Sequence, residues 1–576
     1  MTGTTPGGAE GNLEGLRHPS LSTESPYVAP EVSGREPEPY FAGYASRMSV
    51  AVGDELGFHV ASRSGAECHV DLYRVVGCAD AAFTPALELV TRIGPADVAR
   101  YPSTSDPARL GPGDADSAGC RWPRSTCLAR VPENWRSGLY LAQFTGAPEP
   151  TGRAARRLGE DALFIVRPRD GEARAELLVQ VSVATWAAYH IWRNRSLYMG
   201  RTADGKRVDE LRAFTASLER PGVGLGLPNE TVLTPAPPKA SYTFAAIDWL
   251  ERRGISYDLC AGLDLERDVM ALDSYSVLLT VGHDEYWTDG QCRTVQGFRG
   301  GGGHTVFLGG NLAYWRIRAS IERGEVECYK RASPATADAG FDAEPLDPRY
   351  PADRAGPTTE RCFAPDGRST IDLTGVYNEV VVPGSGRSPD EILNGGAMWW
   401  WEELGGPSRP PTGFEIVSSG HWIFRGTGVA DGDVIGAGNR LVGHEADGLD
   451  VEWNRRPRLT FRDGALPGTE LLAIADCRDW GEIDYTTTPA RRVPGRRASA
   501  AAIGGAVTLI CHAAPDAGML VTAPTTEWVF SLVPAIDYPA YRDLQPRVKP
   551  ALDVTDQITM NVVTHLLSIG RRAVAS

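Results

Sequence analysis

Three short apolar runs, Leu177–Val183, Tyr275–Val281 and His304–Leu308, constrain the fold of this chain more than any other feature. Each is rich in Val or Leu and reads as a strand covered on both faces. Between them, Tyr242 to Arg253 and Asp289 to Phe298 carry apolar residues at helical spacing, and Tyr257–Leu259 is a further short strand. The order strand, helix, strand, strand, helix, strand implies a mostly parallel α/β sheet flanked by helices.

Such sheets place ligands at the C-terminal ends of their strands, and here those ends are unusual. The middle run continues into Gly282-His283-Asp284-Glu285-Tyr286-Trp287. In extended backbone His283 and Glu285 point to one side and Asp284 to the other. Three ionisable groups at a buried strand end are expensive to desolvate without a task. The plainer alternative is a strand-to-helix turn whose carboxylates cap the following helix.

The neighbouring strands end in the same polar, aromatic manner. The first runs into Thr185-Trp-Ala-Ala-Tyr189 and on to Ser196-Leu-Tyr198, and the third into Gly309-Gly310-Asn311-Leu-Ala-Tyr314-Trp315. Gly309 and Gly310 admit close backbone approach and place the neutral hydrogen-bonding Asn311 at the sheet edge. Tyr189 and Tyr198 lie nine residues apart, on opposite faces of any regular helix, so a loop must turn them if they act together. A free tyrosine, with a pKa near ~10, is a poor ligand at neutral pH, but a hard trivalent cation can deprotonate it. The alternative for each is a wall residue whose hydroxyl finds a backbone partner.

Composition narrows the partners. The chain has 576 residues and a formal charge of −15, with 58 basic against 73 acidic side chains. That balance argues against nucleic acid or an anionic membrane as the main partner. No stretch reaches the ~18 consecutive apolar residues of a membrane helix, and the N-terminus lacks a basic-then-apolar pattern. A cytoplasmic protein is the expectation. The ten cysteines include no C-x-x-C pair, so structural zinc is not expected. Cys120 with Cys127, and Cys328 with Cys362, are spaced to bridge, but free thiols are expected in a reducing compartment.

The length suits two or three domains. Residues 1–35 read as a disordered arm rich in Gly, Pro, Ser, Thr and Glu. Residues 36–170, with short runs such as Met48–Val52, Glu55–Val60, Cys68–Val76, Gly138–Phe144 and Ala162–Val166, suggest an antiparallel, all-β sandwich. Residues 171–576 form the α/β part, interrupted by a Pro-, Ala- and Asp-rich insertion at 332–367. Its second half reads as strand-rich through Val376–Val382, Glu470–Ala475, Ala506–Ile510 and Trp528–Phe530, with a closing helix from about Thr555 to Ile569.

Taken together, these motifs resemble the large (beta) subunit of N,N-dimethylformamidase and its relatives. The likeness rests on Thr185–Tyr189 with Ser196–Tyr198, on Trp249–Arg252, Tyr257–Leu259 and Asp264-Leu265, and above all on Val281–Trp287. It continues through Leu308–Trp315, Cys328–Lys330, His421–Phe424 with Gly426–Gly428, and Gly443–Glu445, in the family's order over roughly residues 175 to 570.

The resemblance implies an α/β core similar to glutamine amidotransferases without their catalytic Cys. It also implies one mononuclear iron(III) held by Tyr189, Tyr198 and Glu285, with His283, Asn311, Lys330 and Glu445 around it. The activity implied is hydrolysis of a C–N bond in a small-molecule amide by metal-activated water. Glu445 or His283 would act as the base, and Asn311 and Lys330 would orient substrate or stabilise the oxyanion. It leaves room for a small accessory subunit and for a homo-oligomer. The N-terminal region departs from the family pattern.

Rival readings differ in class. One is a carbohydrate- or peptide-binding protein, with Trp399-Trp400-Trp401 stacking on sugar rings. Another is a thiol hydrolase, for which Cys260 and Cys292 are the available nucleophiles near the strand ends. A third keeps the iron core but turns it to a biosynthetic cyclisation or elimination.

Overall fold

The computed structural model describes residues 41–62, 67–79, 84–100, 119–120, 122, 127–146, 159–191, 195–197, 200–201, 207–208, 212–225, 239–330, 347–348, 360–361, 370–376, 413–437, 441–442, 445–477, 483–484, 491–492, 506–534 and 552–572. The expected arm at 1–35, nearly all of the insertion at 332–367, the Trp399–Trp401 cluster and the strand expected beyond Val376 lie outside the described residues.

The first part of the chain builds two sheets. Phe41–Ala45, Glu55–Ser62, Ala99–Arg100 and Cys127–Arg130 form one, and Ser49–Ala51, Glu67–Cys78, Pro85–Asp97, Gly138–Thr145 and Asp161–Arg167 the other. Phe41, Phe58 and Val60 of the first share a core with Val70, Phe144 and Phe164 of the second. Phe58 meets Phe144 and Phe164 edge-on, at centroid distances of 6.4 and 5.7 Å, the geometry favoured by the ring quadrupoles.

Two departures from the antiparallel expectation occur, since Ser49–Ala51 runs parallel to Ile165–Arg167, and Ala61-Ser62 parallel to Ala99-Arg100. Gly138–Thr145 and Asp161–Arg167 are buried along almost their whole length, without alternation. The reason is a second layer: Val75, Leu139, Leu141, Leu163 and Ile165 face away from the first sheet into a core shared with Trp249 and Leu250.

The same core takes in a nine-stranded mixed sheet, in the order Asp258–Ala261, Leu177–Val181, Val277–His283, His304–Gly310, Leu520–Ala523, Ala506–His512, Thr469–Asp476, Phe414–Ile416 and Val434–Ile435. The first five strands are mutually parallel and the last four antiparallel. The described chain is thus strand-rich, with six α-helices among the described residues. Helix Ser241–Arg253 ends on Gly254, whose φ of 64° is the left-handed stop a glycine supplies. The C-terminal helix, Leu552–Ile569, is tied down by Trp249 Nε1 donating to Asp556 Oδ1 at 2.6 Å and Trp528 Nε1 donating to Thr559 Oγ1 at 3.1 Å.

Several expectations need correction. The strand read as Leu177–Val183 stops at Val181, and Val183–Tyr189 is a helix. Its β-branched start mimics a strand, but Ala184, Ala187 and Ala188 are strong helix formers and decide the local state. Trp528–Phe530 is no strand, since Val529–Leu532 is a 3₁₀ turn packed under the C-terminal helix. Helix Asp289–Gly300 is capped by Thr288 and Glu266, whose Oγ1 and Oε2 each accept from Gln291 N at 3.1 Å. Asp284 and Glu285 therefore do not serve as its caps. Cys127 is a free thiol, so the Cys120–Cys127 bridge does not form, and Cys362 lies outside the described residues. Among the described residues no helix is long and apolar enough to cross a membrane.

Candidate active site

The parallel strands end side by side at Val181, His283, Gly310 and Ala523, with His283 and Gly310 in register. Glycine makes this junction close enough. A Cβ on Gly282, at φ +71°, would fall 2.3 Å from the Tyr242 side chain, and one on Gly310 would fall 2.2 Å from the Glu445 carbonyl oxygen. The second contact brings the Glu445 segment over the sheet edge. There Thr526 N donates to Glu445 O at 3.1 Å, and Ala446 bridges to Thr525.

His283 is the hub. Its Nε2 lies 2.7 Å from Glu445 Oε2 and 3.1 Å from Glu285 Oε2. Its Nδ1 is in contact with Lys239 Nζ. An ammonium can only donate, so Nδ1 is the acceptor and the Nε2 proton faces the two carboxylates. Burial opposes a charge on this imidazole, yet Glu445 and Glu285 outweigh burial and Lys239 and raise its pKa above the ordinary value. Burial lowers the pKa of Lys239, with Glu445, Glu285 and Glu527 pulling it back.

His283 and Glu285 converge as extended backbone requires, while Asp284 turns away. Asp284 is buried, with Oδ2 lacking a hydrogen-bond partner, and burial pushes its carboxyl up to about 7. The backbone of Glu285 is held from two sides. Glu285 N donates to Thr185 Oγ1 at 3.0 Å, and Trp315 N donates to Glu285 O at 2.8 Å.

Tyr189 closes the Thr185 helix and sets its ring edge-on to His283, with centroids 5.2 Å apart. Lys239 Nζ stands 4.0 Å over the face of the same ring. The helix end is fixed by the fully buried Arg220, which donates to Ala187 O at 2.7 Å and His190 O at 3.1 Å. A cation satisfying the last carbonyls of a helix is favourable against its dipole. Tyr198 lies outside the described residues.

Asn311 sits at φ +54°, a left-handed conformation that asparagine tolerates better than most residues. Its Nδ2 lies 3.4 Å from His283 Nε2, and its Oδ1 is buried without a hydrogen-bond partner. Lys330 is buried one layer further out, its Nζ 5.0 Å from the ring centre of Trp315. The structure thus gathers Tyr189, His283, Glu285, Asn311 and Glu445 directly and places Lys330 against their support. Sequence reading missed Lys239, Glu527 and Asp447. Pro237-Pro238-Lys239 before a helix was the one local signal for the lysine, since a charge there enters the helix end instead of solvent.

Among the described residues no set of three His, Cys, Asp or Glu side chains forms a metal-binding group. The donors present are nonetheless of the hard type, with the carboxylates of Glu285 and Glu445 and the phenol of Tyr189 all buried around one imidazole. Together with the open acceptor Asn311 Oδ1, such a set fits a hard, oxygen-seeking cation. The thiols do not rival this site. Burial pushes Cys292 up to about 12 and Cys260 well above its ordinary value, and both therefore stay protonated.

The chain is 25% identical to the N,N-dimethylformamidase beta subunit of Paracoccus aminophilus and 26% to that of an Alcaligenes species, in each case over 35% of this chain and 29% of the relative. The match thus spans less than a third of those relatives' length. The family model described as N,N-dimethylformamidase beta subunit-like, C-terminal, matches residues 90–542, which include every strand end of the site. The chain belongs to the N,N-dimethylformamidase beta subunit-like, C-terminal family.

Proposed function

We propose that this protein is an iron-dependent amidohydrolase that cleaves the C–N bond of a small amide, giving a carboxylate and an amine. The observation that carries the reading is the buried His283 imidazole shared by Glu445 at 2.7 Å and Glu285 at 3.1 Å, at the ends of parallel strands. Membership of the family supports it. On this reading the parallel half of the sheet is a glutamine amidotransferase-like core in which His283-Asp284-Glu285 replaces a thiol nucleophile.

Tyr189, Tyr198 and Glu285 are the residues we assign to hold a single iron(III). When bound, that ion supplies Lewis-acid polarisation of a carbonyl and a lowered pKa for water. The protein's own groups handle the protons. Glu445 accepts the proton of the attacking water and returns it to the departing amine nitrogen, while His283, in contact with Glu445 Oε2 through its Nε2–H, orients that carboxylate. Asn311, as a neutral donor beside Nε2, supports the oxygen that gains charge as the carbonyl is attacked. Lys330 orients the substrate from beside Trp315. Lys239 donates to Nδ1 and so keeps the imidazole proton on Nε2.

The test is metal analysis and the visible spectrum of protein purified without chelator, set beside Tyr198→Phe and followed by a screen of simple amides for amine release. About one iron per chain and a tyrosinate-to-iron band that shifts in the variant are expected. Protein that neither contains nor takes up iron, and has no such band, would end the metal assignment.

A further inference from the structure

The three residues Glu445-Ala446-Asp447 form a bracket across two strand ends. Ala446 bridges to Thr525, and Asp447 N donates to Pro524 O at 3.0 Å, which anchors the segment to the end of the Leu520–Ala523 strand. One arm of the bracket is Glu445, on His283. The other is Asp447, almost wholly buried, whose Oδ2 accepts from Leu312 N at 3.1 Å and whose carboxyl also receives the backbone N–H of Asn311.

Those two amides belong to a turn that the backbone does not favour by itself. Asn311 and Ala313 have φ of 54° and 52°, and for alanine this region is sterically disfavoured. The turn follows Gly310, which has room for no Cβ against the Glu445 carbonyl. Burial, with Glu445 adding, pushes the Asp447 carboxyl well above its ordinary range, and the N–H groups of Leu312 and Asn311 with the nearby His283 act against that rise. Asp447 Oδ1 is buried without a hydrogen-bond partner. A buried carboxyl whose hydrogen bonds go to two amides of one turn is placed to hold that turn.

We propose that Asp447 is the positioning residue for Asn311: its carboxyl group fixes the left-handed turn so that the Asn311 amide stands beside His283. Because Glu445 lies two residues earlier on the same anchored segment, the proton-handling carboxylate and the oxyanion donor are set in one piece. The kinetic side of this proposal rests on the amide-hydrolysis reading, and its structural side does not.

The experiment compares the native full chain with Asp447→Ala, Asn311→Ala and the double variant. Hydrogen–deuterium exchange is read across residues 308–315, and kcat and KM are measured on an amide that the native protein hydrolyses. In Asp447→Ala the Leu312 amide should exchange about tenfold faster, the contribution of one buried hydrogen bond. Its kcat should fall about 10- to 100-fold with KM nearly constant, as loss of an orienting partner does. In the Asn311→Ala background the same change should lower kcat less than about twofold, because a residue that acts through Asn311 has nothing left to position.

Unchanged exchange overturns the proposal whatever the substrate. Faster exchange with an equal loss of kcat in both backgrounds overturns the link to Asn311. If no amide is hydrolysed by the native protein, the functional reading fails while exchange still decides the structural claim. Should Asp447→Ala not fold, Asp447→Asn takes its place. Its amide retains one acceptor, so an exchange increase smaller than tenfold but above the native rate is expected, and none overturns the proposal.

Discussion

His283 is held from both ring nitrogens, and this two-sided grip defines its chemistry. A lysine on Nδ1 and two carboxylates at Nε2 leave the imidazole one tautomer and one orientation. Replacing Lys239 with Met removes the donor while keeping much of the side-chain length. Amide hydrolysis should then drop about 10- to 100-fold in kcat, and the ¹⁵N shifts of His283 should report mixed tautomers. Native kcat with native shifts would show that the lysine does not orient the ring. Much of this site is legible in the sequence, because His283, Glu285 and Asn311 are contiguous with strand ends and extended backbone dictates which way they point. Glu445 was placed by motif, and Lys239 was missed. Both arrive from segments whose position depends on tertiary contacts with Thr526 and Tyr189 and not on local pattern.

Among the elements, the glycine junction is the least tolerant of change. Gly310→Ala would press a methyl onto the Glu445 carbonyl, a backbone atom held by Thr526 N and unable to swing aside. Overpacking of this kind costs about 1–3 kcal/mol. A lower melting temperature and weaker activity are expected together, whereas Gly297→Ala, in an exposed helix interior with nothing within 4 Å, should melt at or above the native temperature. Equal melting of the two variants would contradict the packing argument. Strand positions were readable where both faces are apolar, as in Val277–His283 and His304–Gly310. The helix Val183–Tyr189 was misread because Val181-Ser182-Val183 continues a strand pattern past the point where Arg220 and Thr185 pin a helix. The long edge strand Pro85–Asp97 was overlooked because it is largely exposed and lacks an apolar run.

Across the whole molecule, the end of the sheet opposite the active site carries its own titratable clasp. His304 Nδ1 accepts from Met519 N at 2.9 Å, so its Nε2–H donates to Gly570 O at 2.7 Å, joining two strands and the chain end. Burial, with Arg572 adding, holds its pKa below the ordinary value despite the Gly570 contact. The unfolded chain therefore takes up the proton first as pH falls. The stability from this group is complete above the unfolded value near ~6.5 and is lost as pH drops through it toward the lower folded value. Denaturant midpoints should accordingly fall between about pH 7 and about pH 5. His304→Gln, less stable at neutral pH, should lose less over the same interval. Parallel pH dependences would remove His304 from the account.

The order of the sheet also bears on how the molecule is made. The strand that pairs with His304–Gly310 on its far side is Leu520–Ala523, which leaves the ribosome more than two hundred residues after it. Until then the His304–Gly310 strand presents an open apolar edge, and the Glu445 segment has no Thr525 to dock against. The candidate site is consequently among the last parts to assemble. Chains interrupted before residue 520 should be caught by chaperones or aggregate before that site forms.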